Sequence, residues 1–233
     1  MCCLFLAASS TVAIAQTSVV DLVNPIIGTN GMGHTFPGAC VPFGLVQLSP
    51  DTDTIPHNVD GKYQPRSYEY CAGYQHKDSS IVGFSHTHFS GTGHSDLGDI
   101  LIMPTTGTLK LNPGTATNPD GGYRSRFSHG TEISRPGYYE VMLTDYGVKA
   151  QLTTTQRVGI HKYTYPTNSE NQRIILDMIH GIYNYDGKVL WTNIRVENDT
   201  LVTGYRITNG WARTNYTYCL LYTSPSPRDP KTS

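Results

Sequence analysis

The chain has 233 residues, enough for one large β domain or two small ones. Charged residues make up only 15% of it, the formal net charge is −1, and no basic run or patch occurs, so nothing suggests nucleic-acid binding. The sixteen tyrosines suit contacts with neutral polar ligands such as sugars, although core packing explains most tyrosines equally well.

Residues 1–15 predict a secretory signal peptide. The stretch MCCLFLAASSTVAIAQ is apolar and ends in Ala13-Ile14-Ala15, an A-x-A-type cleavage site, although it lacks the usual basic start. It is shorter than the roughly 18–20 apolar residues that cross a membrane, and no later segment reaches that length. We therefore expect an exported protein, either periplasmic, on the outer surface or secreted, with no membrane span and a natural start upstream.

Two cysteines remain once Cys2 and Cys3 leave with the signal peptide and Cys219 is assigned to the tail. An exported protein can join Cys40 and Cys71 in a disulfide, but a single pair in a chain of this length is no disulfide framework. Two buried free thiols are the alternative, and the sequence favours neither.

The first predicted strand of the mature chain runs from Val41 to Leu48, between Pro37-Gly38 and Pro50. The polar segment 51–72 follows and predicts an exposed loop whose tyrosines could contact a ligand. Asp51 and Asp53 stand at the start of this loop. We expect them to cap a turn through their neighbouring backbone, with ligand contact the less favoured role.

The segment GFSHTHFSGTGHSDLGD, residues 83–99, concentrates polar side chains. IVGFSHTHF predicts a strand with His86 and His88 on the same face, because side chains two apart share a face. The glycine-rich continuation predicts a loop. Zinc binding, a hydrogen-bonded cluster that braces the loop, and direct substrate contact are three possible roles, and bracing is favoured. The residues concerned are His86, His88, His94, Asp96 and Asp99.

From Leu97 onward the pattern predicts strand after strand. LGDILIMPTTGTLKL predicts two short strands around Pro104 and Gly107, and residues 137–166 alternate with period two. RIILDMIHGI, GKVLWTNIRVEND and TLVTGYRITNGW add further strands, with Asp177 expected to form strand-end hydrogen bonds. No window predicts a long helix. The series therefore predicts an all-β fold, an antiparallel β-sandwich.

Residues 219–233, CLLYTSPSPRDPKTS, depart from this pattern. A disordered tail is one interpretation. The favoured one is a translated sequencing adapter, which places the β domain at 16–218 and predicts that the natural protein continues beyond Tyr218.

Three segments resemble glycoside hydrolase family 92, the exo-acting α-mannosidases of Bacteroidetes. They are VNPIIGTNGMGHTFPGACVPFGLVQLSPDT, then YEYCAGYQHKDSSIVGFSHTHFSGTGHSDLGDILIMP, then GYYEVMLTDYGVKAQLTTTQRVGIHKYTYP with VTGYRITNGW. The motifs G-H-T-F-P-G-A, F-S-H-T-H and S-G-T-G carry the resemblance.

The resemblance implies a two-domain glycosidase whose (α/α)6 barrel is missing from this chain. The acid, the base and the Ca²⁺ ligands of the family belong to that barrel, so the resemblance assigns this fragment no catalytic residue and no metal ligand. Inverting hydrolysis needs two carboxyl groups roughly 6.5–9.5 Å apart. We therefore expect the fragment alone to be inactive.

The resemblance also implies that the sandwich forms one wall of the sugar pocket and packs against the barrel in cis. Phe36, Tyr70, Tyr74 and Phe89 are expected to anchor the barrel-facing surface. The candidate substrate-binding residues are His34, Thr35, Phe36, Pro37, Gly38, Tyr68, Tyr70, His86 and His88.

Two functional hypotheses follow. The first is the N-terminal part of an exported, calcium-dependent α-mannosidase that acts on mannose-containing N-glycans or mannans. The second is a free-standing β-sandwich that binds carbohydrate without cleaving it. The sequence downstream of Tyr218 distinguishes them.

Overall fold

A computed structural model describes residues 18–53, 55–91, 93, 96–182, 185–211 and 213–222. The predicted signal peptide, His94 and the residues after Tyr222 lie outside the described residues.

The described residues form β-strands joined by turns and short 3₁₀ segments. The strands are β1 (Ala39–Cys40), β2 (Gln47–Asp51), β3 (Asn58–Val59), β4 (Lys62–Tyr63), β5 (Ser80–Ile81), β6 (Gly83–Ser85), β7 (Leu101–Thr105), β8 (Ser125–Arg126), β9 (Ile133–Arg135), β10 (Tyr138–Leu143), β11 (Val148–Thr154), β12 (Gly159–Thr164), β13 (Arg173–Asp177), β14 (Val189–Asn198), β15 (Leu201–Gly210) and β16 (Arg213–Tyr222). The 3₁₀ segments are Val19–Leu22, Pro65–Tyr70, Pro119–Gly121 and His129–Thr131. No helix in the described part of the chain is long and apolar enough to cross a membrane.

Two antiparallel sheets pack face to face and confirm the predicted sandwich. One has five strands in the order β1-β2-β6-β7-β13, and the other has four in the order β12-β11-β10-β9. Along β11 the side chains of Val148, Ala150 and Leu152 are buried, whereas the alternate residues are half-buried. This is the predicted two-residue period, which arises because successive side chains of a strand point to opposite faces.

The space between these sheets, here called the inner interface, holds the main hydrophobic core. The five-stranded sheet contributes Leu48, Phe84, Leu101 and Met103, and the four-stranded sheet contributes Tyr139, Val141, Leu143, Val148, Ala150 and Leu152. Complete burial of one large apolar side chain stabilises the fold by about 1.5–3 kcal/mol. The inner interface is therefore the main source of stability.

A three-stranded meander of β14, β15 and β16 packs on the other face of the five-stranded sheet. We call this contact the outer interface. An apolar cleft there is lined from the sheet side by Ile102, Leu176 and Met178, and from the meander by Val202 and Leu221. The sandwich thus carries a third layer.

The first predicted strand is wrong in its bounds. Residues 41–46 form no strand, because the Gly44 N–H donates to the Val41 carbonyl at 3.0 Å and Phe43 has a φ of 59°, which makes a turn. The strand begins at Gln47 and continues through Pro50.

Two further expectations need correction or refinement. Residues 101–105 form one strand, β7, that includes Pro104, rather than two strands around it. At the other end of the chain, β16 runs past the predicted boundary at Tyr218 and ends at Tyr222. Cys219 and its neighbours stay in the sheet because they pair with the start of β15.

Candidate functional site

The loop that carries His34 is closed tightly on itself. Gly33 lies against the carbonyl of Gly28, where a Cβ atom would overlap that oxygen, and His34 itself has a φ of 49°. Thr35 donates its hydroxyl to the Ile27 carbonyl at 2.8 Å and its amide to Gly28 at 3.3 Å. Thr35 therefore holds the loop together, and the loop fixes His34.

The rings of His34 and Tyr68 lie in contact, although the two residues are far apart in sequence. Their rings are 4.7 Å apart between centroids in an edge-to-face arrangement. The Gly91 N–H donates to the His34 carbonyl at 2.6 Å, and Gly93 lies so close to the Tyr68 ring that a side chain there would overlap it. Gly91 and Gly93 thus lie against the His34 and Tyr68 loops at one place.

One ring nitrogen of His34 lacks a hydrogen bond to the described residues where these loops meet. The residue is only 6% exposed, and its Nε2 has no hydrogen-bond partner among the described residues. A buried polar group without a partner costs free energy, so such an atom in a surface loop indicates a ligand or ordered water.

Phe36 and His88 form the layer behind His34. Their rings are 5.3 Å apart. The His88 Nδ1 is 2.7 Å from the Gln47 carbonyl, and its Nε2 is 2.8 Å from Oδ1 of Asp51. The other carboxylate oxygen of Asp51 is 2.6 Å from Nε2 of His180.

Asp51 therefore links two histidines inside the fold, and its predicted role in capping a turn is wrong. Burial acts to raise the pKa of Asp51, but the charge of His88 and the hydrogen bonds from His180 and His88 outweigh burial and hold this pKa well below its usual range. The nearby Gly73 has a φ of 78°, and a Cβ atom there would overlap Oδ1 of Asp51. This pairing fixes His88 and the layer behind His34.

His86 does not join this group, and the prediction that His86 and His88 share one strand face is wrong. β6 ends at Ser85, so the alternation of side chains stops before both histidines. The His86 Nδ1 is 2.7 Å from the Ile100 carbonyl, and its Nε2 is 3.0 Å from Nε2 of His161. Burial lowers the pKa of both His86 and His161. His86 is thus an interior residue.

The acidic residues of the 83–99 segment brace the structure at separate points. Oδ1 of Asp96 accepts from the Trp211 N–H at 2.6 Å. Asp99 accepts from the Thr87 hydroxyl at 3.0 Å and forms an ion pair with Arg206 at 3.1 Å. The described members of the segment thus brace the structure through different partners and do not form the single hydrogen-bonded cluster that the sequence favours.

Other candidates lie elsewhere. Tyr70 is buried and donates its hydroxyl to Asp78 at 3.2 Å, and burial together with Asp78 raises its pKa. Tyr74 is buried as well, so neither can anchor a barrel-facing surface, whereas Phe89 is 41% exposed.

The Pro37 carbonyl accepts from Ser134, and Gly38 packs on the backbone of Leu48 and Ser49. Both residues position the loop.

Of the two alternatives for Cys40 and Cys71, the structure has two reduced thiols that no disulfide joins. Cys40 is half-buried on β1, and the thiol of Cys71 donates to the Tyr68 carbonyl at 2.8 Å. Cys71 therefore helps to hold the Tyr68 loop.

The sequence interpretation missed His180. Oδ1 of Asp177 accepts from the amides of Ile179 and His180 at 2.8 and 2.9 Å, which confirms the strand-end role of Asp177. This turn directs His180 towards Asp51. A strand-ending Asp followed three residues later by His was the available signal, but only the fold shows its partner.

A family model for the glycosyl hydrolase family 92 N-terminal domain matches residues 22–231. The chain belongs to this family. A family GH92 α-mannosidase from Bacteroides thetaiotaomicron in complex with mannoimidazole is 45% identical with a TM-score of 0.77, and the match covers 85% of this chain and 24% of that one. A second structure of the same enzyme, not described as a complex, is 45% identical with a TM-score of 0.75, and the match covers 85% of this chain and 25% of that one.

Two more distant relatives agree. A GH92 family glycosyl hydrolase at 24% identity shares the fold with a TM-score of 0.65, over 86% of this chain and 26% of that one. A secreted glycosidase from Arthroderma benhamiae, described as uncharacterized, is 28% identical over 170 residues, 69% of this chain and 19% of that protein. The chain thus spans about a quarter or less of the length of each relative.

Proposed function

We propose that this chain is the N-terminal β-sandwich of an exported, calcium-dependent α-mannosidase that removes terminal α-mannose from N-glycans or mannans. The loops around His34 and Tyr68 supply one wall of the sugar pocket. The observation that carries the proposal is the Nε2 of His34, which lies beside the Tyr68 ring and has no hydrogen-bond partner among the described residues. An imidazole nitrogen can bond a sugar hydroxyl, and an aromatic ring can pack on a sugar face.

The chemistry of bond cleavage belongs to the rest of the whole protein. Asp51 is the carboxyl group packed behind His34, and it is buried between two histidines, so it is not available as an acid or a base. Calcium needs six to eight oxygen ligands, and this histidine-rich site does not fit it. The family resemblance implies that the calcium ligands lie in the helical domain, and no step at this chain runs through the ion.

The exposed face of the meander is the proposed contact with the barrel. Cross-strand pairing places Trp191 opposite Ile207 and Ile207 opposite Tyr216, and likewise Tyr205 opposite Tyr218, so these residues share a face. Trp191, Tyr216 and Tyr218 are between 59% and 75% exposed. Extended apolar surface of this kind is typical of an interface.

The same row of aromatic residues favours the second candidate, a free-standing carbohydrate-binding sandwich. Isothermal titration of the 233-residue chain with mannose and mannobiose separates the two. The mannosidase proposal expects weak or no binding, since one wall cannot enclose a sugar. Tight binding that is lost in Trp191→Ala supports the binder instead.

The pocket role is tested in the complete protein. We expect His34→Ala to lower kcat/KM on an α-mannoside roughly tenfold, the effect of one lost hydrogen bond, and Tyr68→Ala to lower it similarly. Calcium affinity should stay unchanged. Tyr63→Ala is the matched control, because Tyr63 is an exposed tyrosine of the same 51–72 segment. Parental kinetics in both His34→Ala and Tyr68→Ala would contradict the pocket role.

The 233-residue chain alone provides a separate test. We expect no hydrolysis of an aryl α-mannoside with calcium present, because neither acid nor base is supplied. Turnover above that of a heat-inactivated sample contradicts the assignment of the chemistry to the barrel.

A further inference from the structure

A second cluster of polar side chains lies away from the His34 loop. His76, His129 and Glu132 each offer one donor atom, and these three atoms lie within 4.8 Å of one another. The two imidazole rings are 4.0 Å apart between centroids, with a tilt of 35°. Nδ1 of His129 is 2.7 Å from Oε2 of Glu132. Nothing in the proposed glycosidase role uses these residues.

The local fold explains why His129 and Glu132 face the same way. The 3₁₀ segment His129–Thr131 has about three residues per turn, so positions three apart stand one above the other. Its first N–H groups are capped by Ser128, whose hydroxyl accepts from Gly130 at 3.2 Å. The segment therefore presents an H-x-x-E pair, and His76 reaches it from another part of the chain.

Outer hydrogen bonds orient the carboxylate as they do in metal centres. The hydroxyl of Tyr139 donates to Oε1 of Glu132 at 2.6 Å, and that of Tyr74 donates to the two oxygens at 2.9 and 3.0 Å. Tyr139 is fully buried, and the Glu132 side chain is only 3% exposed. Such outer partners fix a ligand's direction and are typical of built metal sites.

We propose that His76, His129 and Glu132 bind a divalent transition metal ion of the zinc type. Two imidazoles and one carboxylate form a donor set that suits zinc, whereas calcium and magnesium prefer oxygen ligands alone. Ligand bonds of about 2.0–2.2 Å in a tetrahedral site place donor atoms roughly 3.3–3.5 Å apart. The cluster reaches this spacing by shifts of about an ångström. The His129 side chain is 38% exposed, and its ring lies 5.0 Å from the ring of Phe127.

The test uses the 233-residue chain, purified without a polyhistidine tag and freed of metal by chelation. Titration calorimetry with Zn²⁺ should show saturable binding of one equivalent that excess Ca²⁺ and Mg²⁺ do not prevent. Co²⁺ should give the visible absorption of a tetrahedral site. No saturable Zn²⁺ binding overturns the proposal.

Variants locate the site. His129→Ala removes a proposed zinc ligand. Loss of a residue that only hydrogen-bonds a ligand typically weakens metal binding roughly 10- to 100-fold, and we expect His129→Ala to weaken Zn²⁺ binding more than that. Tyr139→Phe keeps the ring in the core and should weaken binding about tenfold. His57→Ala is the control, because His57 is half-buried like His76 but lies outside the cluster. Parental affinity in His129→Ala, or equal loss in His57→Ala, overturns the site.

Discussion

The inner and outer interfaces of the five-stranded sheet differ in the polarity of the side chains that they bury. The inner interface is mainly apolar and buries rings such as Phe84 and Tyr139 completely. The outer interface places a few aliphatic residues beside fully buried Arg206 and Lys188. Burial of a charge carries a desolvation cost that an ion pair offsets only in part. One sheet therefore has a self-sufficient face and a face that depends on polar pairing.

The far side of the meander sharpens this contrast. Its aromatic residues remain exposed, whereas the four-stranded sheet exposes a polar face on its outside, with Lys149 and Glu140 paired across it. The meander packs on the five-stranded sheet through a few aliphatic residues, and no described residue covers its other face. We therefore expect the meander to be the least stable layer of the fold.

The largest expected effect compares two neighbours on β7. Met103 faces the inner core, and Ile102 faces the outer cleft. We expect Met103→Ala to lower the free energy of unfolding by about 4 kcal/mol and Ile102→Ala by about 2 kcal/mol, since the outer site can relax around the lost volume. Guanidinium chloride unfolding measures both. Equal losses would show that the two interfaces are equivalent.

The next effect concerns the buried ion pair. Arg206 pairs with Asp99 at 3.1 Å and donates to the carbonyls of Met178 and His180 at 3.2 and 2.6 Å. We expect Arg206→Ala to destabilise the chain by about 3 kcal/mol, because Asp99 and these carbonyls lose their partner inside the fold.

A double-mutant cycle with Asp99→Ala provides the check on this pair. The coupling free energy should be about 1–3 kcal/mol, since the two residues share one buried contact. A coupling near zero would mean that Arg206 stabilises the chain through packing and its bonds to the Met178 and His180 carbonyls, without a contribution from Asp99.

The smallest effect is a pH dependence from Lys188. Burial, with a contribution from Arg206, lowers the pKa of Lys188 from 10.5 to about 7. Between these two values the unfolded chain binds the extra proton, so stability rises with pH. We expect a gain on the order of 1–2 kcal/mol from pH 7.5 to pH 9.

Lys188→Met should abolish this slope and raise stability at pH 7. Lys149→Met is the control, because Lys149 is half-buried and paired with Glu140, and it should keep the slope. The measurement is urea unfolding at several pH values. A slope that survives in Lys188→Met assigns the pH dependence to another group.

The sequence predicts those parts of the fold in which burial is one-sided and the strand is long. β10 and β11 alternate buried and half-buried residues over six or seven positions, and their pattern shows this directly. β6 has only three residues, all buried, so no alternation marks where it ends. The faces of His86 and His88 were therefore predicted wrongly.

The candidate site is predictable only in part for a similar reason. The family resemblance brings His34 and Tyr68 forward, and the structure places them together. The roles of Asp51 and His180 depend on partners distant in sequence, and a local pattern carries no information about such partners. Asp51 looks like a turn residue because aspartate often is one.

The order of strands also has a consequence for how the chain folds. β9 to β12 each pair with their neighbours in sequence. β13, in contrast, pairs with β7, and the chain between these two strands includes all of β9 to β12. His180 meets Asp51 across 129 positions. Contacts between distant segments form slowly because loop closure comes first. We expect amide protection to appear early in β10 and β11 and late in β13, in pulse-labelled hydrogen exchange during refolding. The buried carboxylate of Asp51 would then gain its second histidine among the last events of folding, and protection of β13 ahead of β10 would reverse this order.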